Sequence, residues 1–86
     1  MNIRLVIAAP MNQFGQSLPS RLRLRDGATV DDALEHLAEM LPASSRLPEG
    51  SLVVVSGAYL GTVKAHRRRE LVDGDELELF AAAAGG

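Results

Sequence analysis

The chain has 86 residues, a length that suits one domain rather than two. Its 47% apolar and 23% charged residues are near the averages of globular domains, so the composition argues against disorder. The net charge of −2 argues weakly against nucleic acid as the main partner, and the absence of cysteine excludes disulfides, thiol catalysis and thiolate metal sites.

Two alternating stretches near the start of the chain predict a pair of strands. Residues 3–7 alternate apolar side chains with Arg4 and Val6, and residues 21–25 alternate leucine with arginine. Residues 8–20 lie between them and contain two prolines and a glycine, which predicts a loop. We expect the two strands to pair antiparallel.

One helix is predicted at about residues 30–41. Thr29 is the N-cap candidate, and Asp31 and Asp32 fall in the first turn, where the helix dipole favours acidic side chains. The helix should end before Pro42, since a residue that precedes proline avoids the helical region. Its apolar residues form one continuous stripe: Val30, Ala33, Leu34, Leu37, Ala38 and Leu41.

The second half of the chain contains two further strand patterns. Residues 52–55 are a β-branched, uninterrupted apolar run, which suits a strand buried on both faces. Residues 59–69 favour no single structure. Residues 73–75 read Asp-Gly-Asp and predict a turn, and residues 76–80 alternate again as the last strand. Aromatic residues are only 3%, so the core is expected to be aliphatic.

These elements, together with an ending in which the Asp-Gly-Asp turn, an alternating strand and Gly85-Gly86 follow one another, resemble the MoaD/ThiS family of ubiquitin-like sulfur carriers. The resemblance covers the whole chain in element order and is sharpest over residues 73–86. It implies an α+β, β-grasp fold, with a mixed β-sheet of four or more strands packed on one main helix. The domain would span residues 1–80, and residues 81–86 would form a flexible C-terminal tail.

The same resemblance implies a function for the tail. A partner enzyme would adenylate the carboxylate of Gly86, which would then become a thiocarboxylate, while Ala83, Ala84 and Gly85 insert into the partner. Phe80 is either an apolar contact with the partner or a core residue that closes the sheet. The chain would have no catalytic residue, metal or bound cofactor of its own, and the adenylating enzyme would use ATP.

The expected partners are an adenylating enzyme of the ubiquitin-activating kind, a sulfur donor and a sulfur-acceptor synthase subunit. Molybdopterin biosynthesis is the first choice of pathway, with this chain as the non-catalytic small synthase subunit, and thiamine thiazole biosynthesis is the second. Four alanines follow the last strand, where MoaD-like proteins usually have prolines, so the pathway stays open. A modifier joined to protein lysines through Gly86 and a plain interaction module are two further hypotheses from different functional classes.

The remaining charged residues carry weaker signals. The run of residues 66–69 is interpreted as a solvated loop, although it could meet an acidic partner or a phosphate. Residues 21–25 place arginines on one strand face, which fits either a partner surface or an edge protected by charge. His36 and His66 without cysteine make a zinc site improbable, and the acidic residues 73–76 suit a turn better than a metal loop.

No apolar run in the chain approaches the roughly 20 residues that span a bilayer, and the first residues lack the apolar stretch of a signal peptide. We therefore expect a cytoplasmic protein with no membrane partner.

Overall fold

The computed structural model describes residues 1–8, 18–42 and 47–81, and it contains one mixed sheet and one helix. The elements in chain order are β1 Asn2–Ile7, β2 Arg21–Arg23, α1 Val30–Met40, β3 Leu52–Val55, β4 Ala58–Thr62 and β5 Glu76–Phe80. The strands lie in the order β2-β1-β5-β3-β4. The pair β1 and β5 is parallel, and the other three pairs are antiparallel, which confirms the expected pairing of β1 with β2. Most of the predicted first loop, at residues 9–17, and part of the connection after the helix, at 43–46, lie outside the described residues.

The start of α1 is fixed by a reciprocal cap. The Thr29 side chain accepts a hydrogen bond from the Asp32 backbone N–H, and the Asp32 carboxylate accepts one from the Thr29 N–H at 2.8 Å. That bond from the Thr29 backbone is the main reason why the pKa of Asp32 lies below its usual value, and the positive charge of Arg25 adds to it. The predicted N-cap is therefore confirmed.

The helix ends at Met40, one residue earlier than predicted. Leu41 is the C-cap and has an extended backbone, with φ −80° and ψ 149°. Pro42 explains this conformation, because its ring clashes with a helical residue before it.

The core lies between α1 and one face of the sheet. Val30, Ala33, Leu34 and Leu37 of the helix are buried, as the stripe predicted. The sheet contributes the inward-facing residues Ile3, Leu5, Leu22, Val53, Val55, Leu77 and Leu79. Every buried apolar side chain in the described part of the chain is aliphatic, which confirms the expectation from the low aromatic content.

The structure corrects the prediction for β3 and resolves the undecided stretch that begins in β4. Val53 and Val55 are fully buried, but Leu52 and Val54 point to the opposite face and are only half-buried, so the prediction of burial on both faces is wrong. The undecided stretch begins within β4, which forms a hairpin with β3. Its glycine at position 61 and the irregular register between the two strands explain why no alternating pattern marks it.

Gly61 allows the chain to fold back against β4. Its φ of +137° is rarely adopted by residues with a side chain. A Cβ at this position would lie 2.4 Å from the carbonyl oxygen of Ala65 and 2.8 Å from the Cα of His66. Both atoms belong to the backbone of the returning segment, so a side chain could not be accommodated without moving it.

We predict that Gly61→Ala lowers the free energy of unfolding by about 2–4 kcal/mol, because it adds a backbone collision to the cost of the positive φ. Urea unfolding followed by circular dichroism measures the change. Gly57→Ala is the matched control, since Gly57 has a φ of +86° but a Cβ added there would meet nothing within 4 Å. Equal losses in the two variants would contradict the role assigned to the close approach.

Candidate functional site

The strand that leads into the tail is held at the centre of the sheet. Leu77 and Leu79 of β5 are fully buried, and β5 pairs with β1 on one side and β3 on the other. The Ala8 N–H also donates to the Leu79 carbonyl at 3.0 Å, which extends the pairing to the end of the strand. The end of β5 is therefore held on both sides by neighbouring strands.

The carboxylate of Asp75 fixes the other end of β5. Its Oδ1 accepts a hydrogen bond from the Ser56 hydroxyl at 2.7 Å, and its Oδ2 accepts one from the Val72 N–H at 2.9 Å. The side chain is 7% exposed, and the Arg69 guanidinium lies 3.6 Å from Oδ1. Asp75 thus joins the β3–β4 turn to the segment that precedes β5.

The neighbouring turn is tied to the start of β1. Asp73 Oδ1 accepts a hydrogen bond from the Asn2 N–H at 2.7 Å, and the Gly74 N–H donates to the Asn2 carbonyl at 2.9 Å. Gly74 has a φ of +90°, which suits glycine. These contacts confirm the turn role predicted for residues 73–76.

The sheet face opposite α1 carries an apolar surface close to the end of β5, which we call the outer patch. It consists of Val6, Leu52, Val54, Tyr59 and Phe80, and the half-buried Glu78 lies between Val6 and Val54 on the same face. Phe80 lies across from Leu52, and Val54 lies across from Tyr59. Tyr59 is 56% exposed, and Phe80 is half-buried and stands apart from the core. The structure thus places Phe80 on the outer face, while its contact with a partner stays a prediction.

The tail residues proposed for chemistry, Ala83, Ala84, Gly85 and Gly86, lie outside the described residues. Ala81, which the sequence interpretation assigned to the tail, packs against the core. The division into a domain over residues 1–80 and a tail over 81–86 stays a prediction.

The basic run is more structural than its sequence suggested. Arg69 is half-buried and donates to the Val55 carbonyl at 3.4 Å, in addition to its contact with Asp75. Arg67 donates to the Tyr59 carbonyl at 3.0 Å, so it supports β4. Arg68 is exposed. The interpretation as a solvated loop is therefore wrong for Arg69.

The burial of His66 is a feature that sequence reasoning missed, and the interpretation of residues 66–69 as a solvated loop is wrong for this residue too. Its side chain is 5% exposed, with Nδ1 2.9 Å from the Thr62 carbonyl oxygen and Nε2 2.8 Å from Oδ1 of Asp31. The second contact is close but is not aligned as a hydrogen bond. The imidazole joins the segment after β4 to the first turn of α1. The one sequence signal for the burial of His66 is Gly61, because the absence of a side chain there lets residues 65 and 66 lie against β4.

The described residues contain no group of three or more metal-ligating side chains that could hold an ion. They also contain no helix that is long and apolar enough to cross a membrane. Their two best-formed depressions are shallow surface grooves of about 360 and 290 Å³. The most strongly organised feature is therefore the fixed strand β5, with the outer patch beside its end.

A five-stranded mixed sheet on one helix, with the last strand at its centre, defines a ubiquitin-like β-grasp protein, as the sequence predicted. The sequence matches the ThiS family model over residues 5–86, so the chain belongs to the ThiS family. The structure is similar to the crystal structure of SAMP1 from Haloferax volcanii, with a TM-score of 0.71, 22% identity and full coverage of both chains. At that identity the likeness shows the fold. A comparison with curated proteins gives no match.

The family result confirms the resemblance to MoaD/ThiS proteins. Members of this group are small carriers or modifiers rather than catalysts, which is consistent with the expectation of a non-enzyme. The pathway is not determined by either comparison.

We predict that Asp75→Ala lowers the free energy of unfolding by about 2–4 kcal/mol, because it leaves the Ser56 hydroxyl and the Val72 N–H without their acceptor. Denaturant unfolding measures the loss. Asp73→Ala is the control, because Asp73 is exposed and accepts one backbone bond, and we expect it to cost less than about 1 kcal/mol. A smaller loss for Asp75→Ala than for Asp73→Ala would contradict the central role of Asp75.

Proposed function

We propose that this protein is a sulfur carrier whose Gly86 carboxylate is adenylated and then converted to a thiocarboxylate. The observation that carries the proposal is the central position of β5, which presents the following residues from a fixed point beside the outer patch. The family match, which extends through Gly86, supports the same conclusion.

The chemistry explains why a terminal carboxylate needs a partner enzyme. An α-carboxyl group has a pKa of about 3.5, so it is an anion at neutral pH and a poor acyl donor. Attack of a carboxylate oxygen on the α-phosphorus of ATP forms an acyl-adenylate and releases pyrophosphate. Hydrosulfide then attacks the acyl carbon, AMP leaves, and the thiocarboxylate remains. A persulfide donor would first form an acyl disulfide, which a thiol would cleave to give the same product.

The composition of the tail suits entry into a narrow active site. Fully extended, five residues such as 82–86 could reach at most roughly 16 Å at about 3.3 Å per residue, which would be enough to reach a nucleotide below the partner's surface. Gly85 and Gly86 have no Cβ and allow close approach of the backbone to that nucleotide. Ala83 and Ala84 keep the tail thin and add no charge that would have to be desolvated.

The outer patch is the proposed docking surface for the adenylating enzyme and for the acceptor. Phe80 and Leu52 pair across β5 and β3 at the end of the sheet from which the tail leaves. A partner that covers this patch would bury apolar area and align the tail in one step. Aromatic anchors of this kind contribute much of the binding energy of protein interfaces.

Within this chemistry we propose molybdopterin biosynthesis, with the chain as the non-catalytic small subunit of the synthase. Thiamine thiazole biosynthesis shares the activation step and differs only in the acceptor. A ubiquitin-like modifier joined to lysines through Gly86 also shares it and differs in the nucleophile, an amine in place of sulfur.

Intact mass spectrometry tests the proposal directly. The chain is incubated with a cognate adenylating enzyme, ATP and a sulfur source. We expect a mass gain equal to the replacement of one oxygen by sulfur, located on the C-terminal peptide. The same reaction without ATP is the control. No gain with an enzyme that is active on another carrier would overturn the proposal.

A lysine conjugate would instead support the role of a protein modifier. Lys64 is the single lysine of the chain, and its side chain is 73% exposed. Conjugates that persist in a Lys64→Arg variant are therefore joined to other proteins and not to a second copy.

We predict that Gly85→Val reduces the rate of adenylation by at least about tenfold, because a branched side chain would block a channel shaped for glycine. Pyrophosphate release with purified adenylating enzyme measures the rate. Gly85→Ala is the control with a smaller side chain, and it should reduce the rate of adenylation less than Gly85→Val does. A normal rate for the valine variant would rule out a narrow channel.

We predict that Phe80→Ala raises the KM of the adenylating enzyme for this protein about tenfold. Truncation of an aromatic anchor at an interface weakens binding by about this factor. Val72→Ala is the matched control, since Val72 is 60% exposed and lies outside the outer patch. Unfolding midpoints separate loss of docking from loss of stability. An unchanged KM with Phe80→Ala would remove Phe80 from the docking surface.

A further inference from the structure

β2 is an edge strand whose outer side is open among the described residues. Met1 and Leu24 exchange both of their backbone hydrogen bonds, at 2.7 and 2.9 Å. Bonded and non-bonded pairs alternate along an antiparallel ladder, so Leu22 also bonds to β1. The N–H and C=O groups of Arg21 and Arg23 therefore point away from β1, and no described residue hydrogen-bonds to them.

The opposite edge of the sheet is covered by the chain itself. Along β4, the Leu60 carbonyl accepts from the Arg67 N–H at 3.0 Å, and the Thr62 N–H donates to the Ala65 carbonyl at 2.8 Å. The Arg67 guanidinium also binds the Tyr59 carbonyl at 3.0 Å. Within residues 1–8, 18–42 and 47–81, backbone therefore covers the β4 edge and no backbone covers the outer side of β2.

The exposed side chains along β2 are strongly basic. We use the name β2 cluster for Arg4, Arg21 and Arg23, which lie on the outer face, with Arg4 directly across from Arg21. Like charges in such a cross-strand position destabilise a sheet. Glu76, 3.7 Å from Arg4, is the one described carboxylate within 4.0 Å of the cluster. The guanidinium groups of Arg21 and Arg23 have no carboxylate within 4.0 Å in the described part of the chain, and Asp73 lines the same groove as Arg4 and Arg21.

We propose that the β2 edge binds an extended acidic segment of a partner protein, which adds to the sheet as a further strand. Its backbone would bond to the free groups of Arg21 and Arg23, and its carboxylates at alternate positions would lie beside the β2 cluster. The groove on the other side of the edge is lined by residues of both charges, so it sets no charge preference for side chains that face the helix; these residues are Arg23, Arg25, Asp32, Glu35 and Glu39, beside Leu24, Ala28 and His36. The site therefore selects for acidic residues on one face of the segment.

The arrangement disfavours two other occupants. A second copy of β2 would place arginine against arginine, so pairing of two copies is opposed by charge. Nucleic acid phosphates could meet the guanidinium groups but have no donors for the outward carbonyl groups of Arg21 and Arg23. A peptide backbone supplies both donors and acceptors. This surface is separate from the outer patch, and the proposal stands whether or not Gly86 is transferred.

Nuclear magnetic resonance titration of the full ¹⁵N-labelled chain tests the proposal. The probe is an acetylated octapeptide of alternating glutamate and threonine, and the control probe alternates lysine and threonine. We expect the glutamate peptide to shift the amide resonances of Arg21 and Arg23 until saturation, and we expect the lysine peptide to leave them unchanged. No saturation up to about 5 mM peptide, or tighter binding of an eight-residue oligothymidine, would overturn the proposal.

Four variants separate charge from backbone pairing. Arg21→Gln with Arg23→Gln should raise the Kd at least about tenfold, whereas Arg67→Gln with Arg68→Gln, which removes the same charge elsewhere, should change it less than about twofold. Arg23→Pro removes the outward N–H together with the guanidinium and breaks no bond to β1, so it should raise the Kd about tenfold above that of the Arg23→Gln single variant, which removes the charge alone. Unfolding midpoints confirm that each variant is folded. Equal losses in both glutamine pairs, or equal binding by Arg23→Pro and Arg23→Gln, would contradict strand addition.

Discussion

The hydrogen bonds of the Asp75 carboxylate hold together the parts of the chain that meet at β5. One oxygen fixes the turn between β3 and β4 through Ser56, and the other fixes the backbone of Val72. Glu76, which follows Asp75, begins strand β5, and β5 pairs with β1 and β3. A buried carboxylate is costly unless its oxygens are satisfied, so these bonds are required for the burial of Asp75 itself. The position from which the tail leaves the domain depends on them.

The two faces of the sheet differ in burial. The inner face and α1 form an aliphatic core that supplies stability, and no described side chain of that core is polar enough to take part in chemistry. The outer face keeps apolar side chains such as Leu52 and Val54 half-exposed, although the core does not need them there. The apolar surface that the fold leaves uncovered lies next to the strand that carries the tail. Such a surface suits a protein that acts by presenting a group to others.

Local patterns predicted much of this fold, because they are set by short-range physics. The Thr29 cap, the stop before Pro42 and the alternation in β1 and β5 each depend on neighbouring residues. The continuous apolar run in β3 could not reveal which of its faces is more exposed. All four side chains are apolar, so the sequence shows no alternation between the two faces. The burial of His66 and the structural role of Arg69 could not be predicted, because they depend on contacts between distant residues.

The central place of β5 also governs how the domain bears a mechanical load. In the function that we propose, a partner would draw the residues after β5 into its active site, and the pull would be transmitted along the axis of β5. Strands on both sides hold β5 by rows of hydrogen bonds, and a pull along the strand loads these bonds together in shear. An edge strand such as β2 could be peeled away one bond at a time. A domain whose last strand is held in this way resists a pull on the residues that follow that strand.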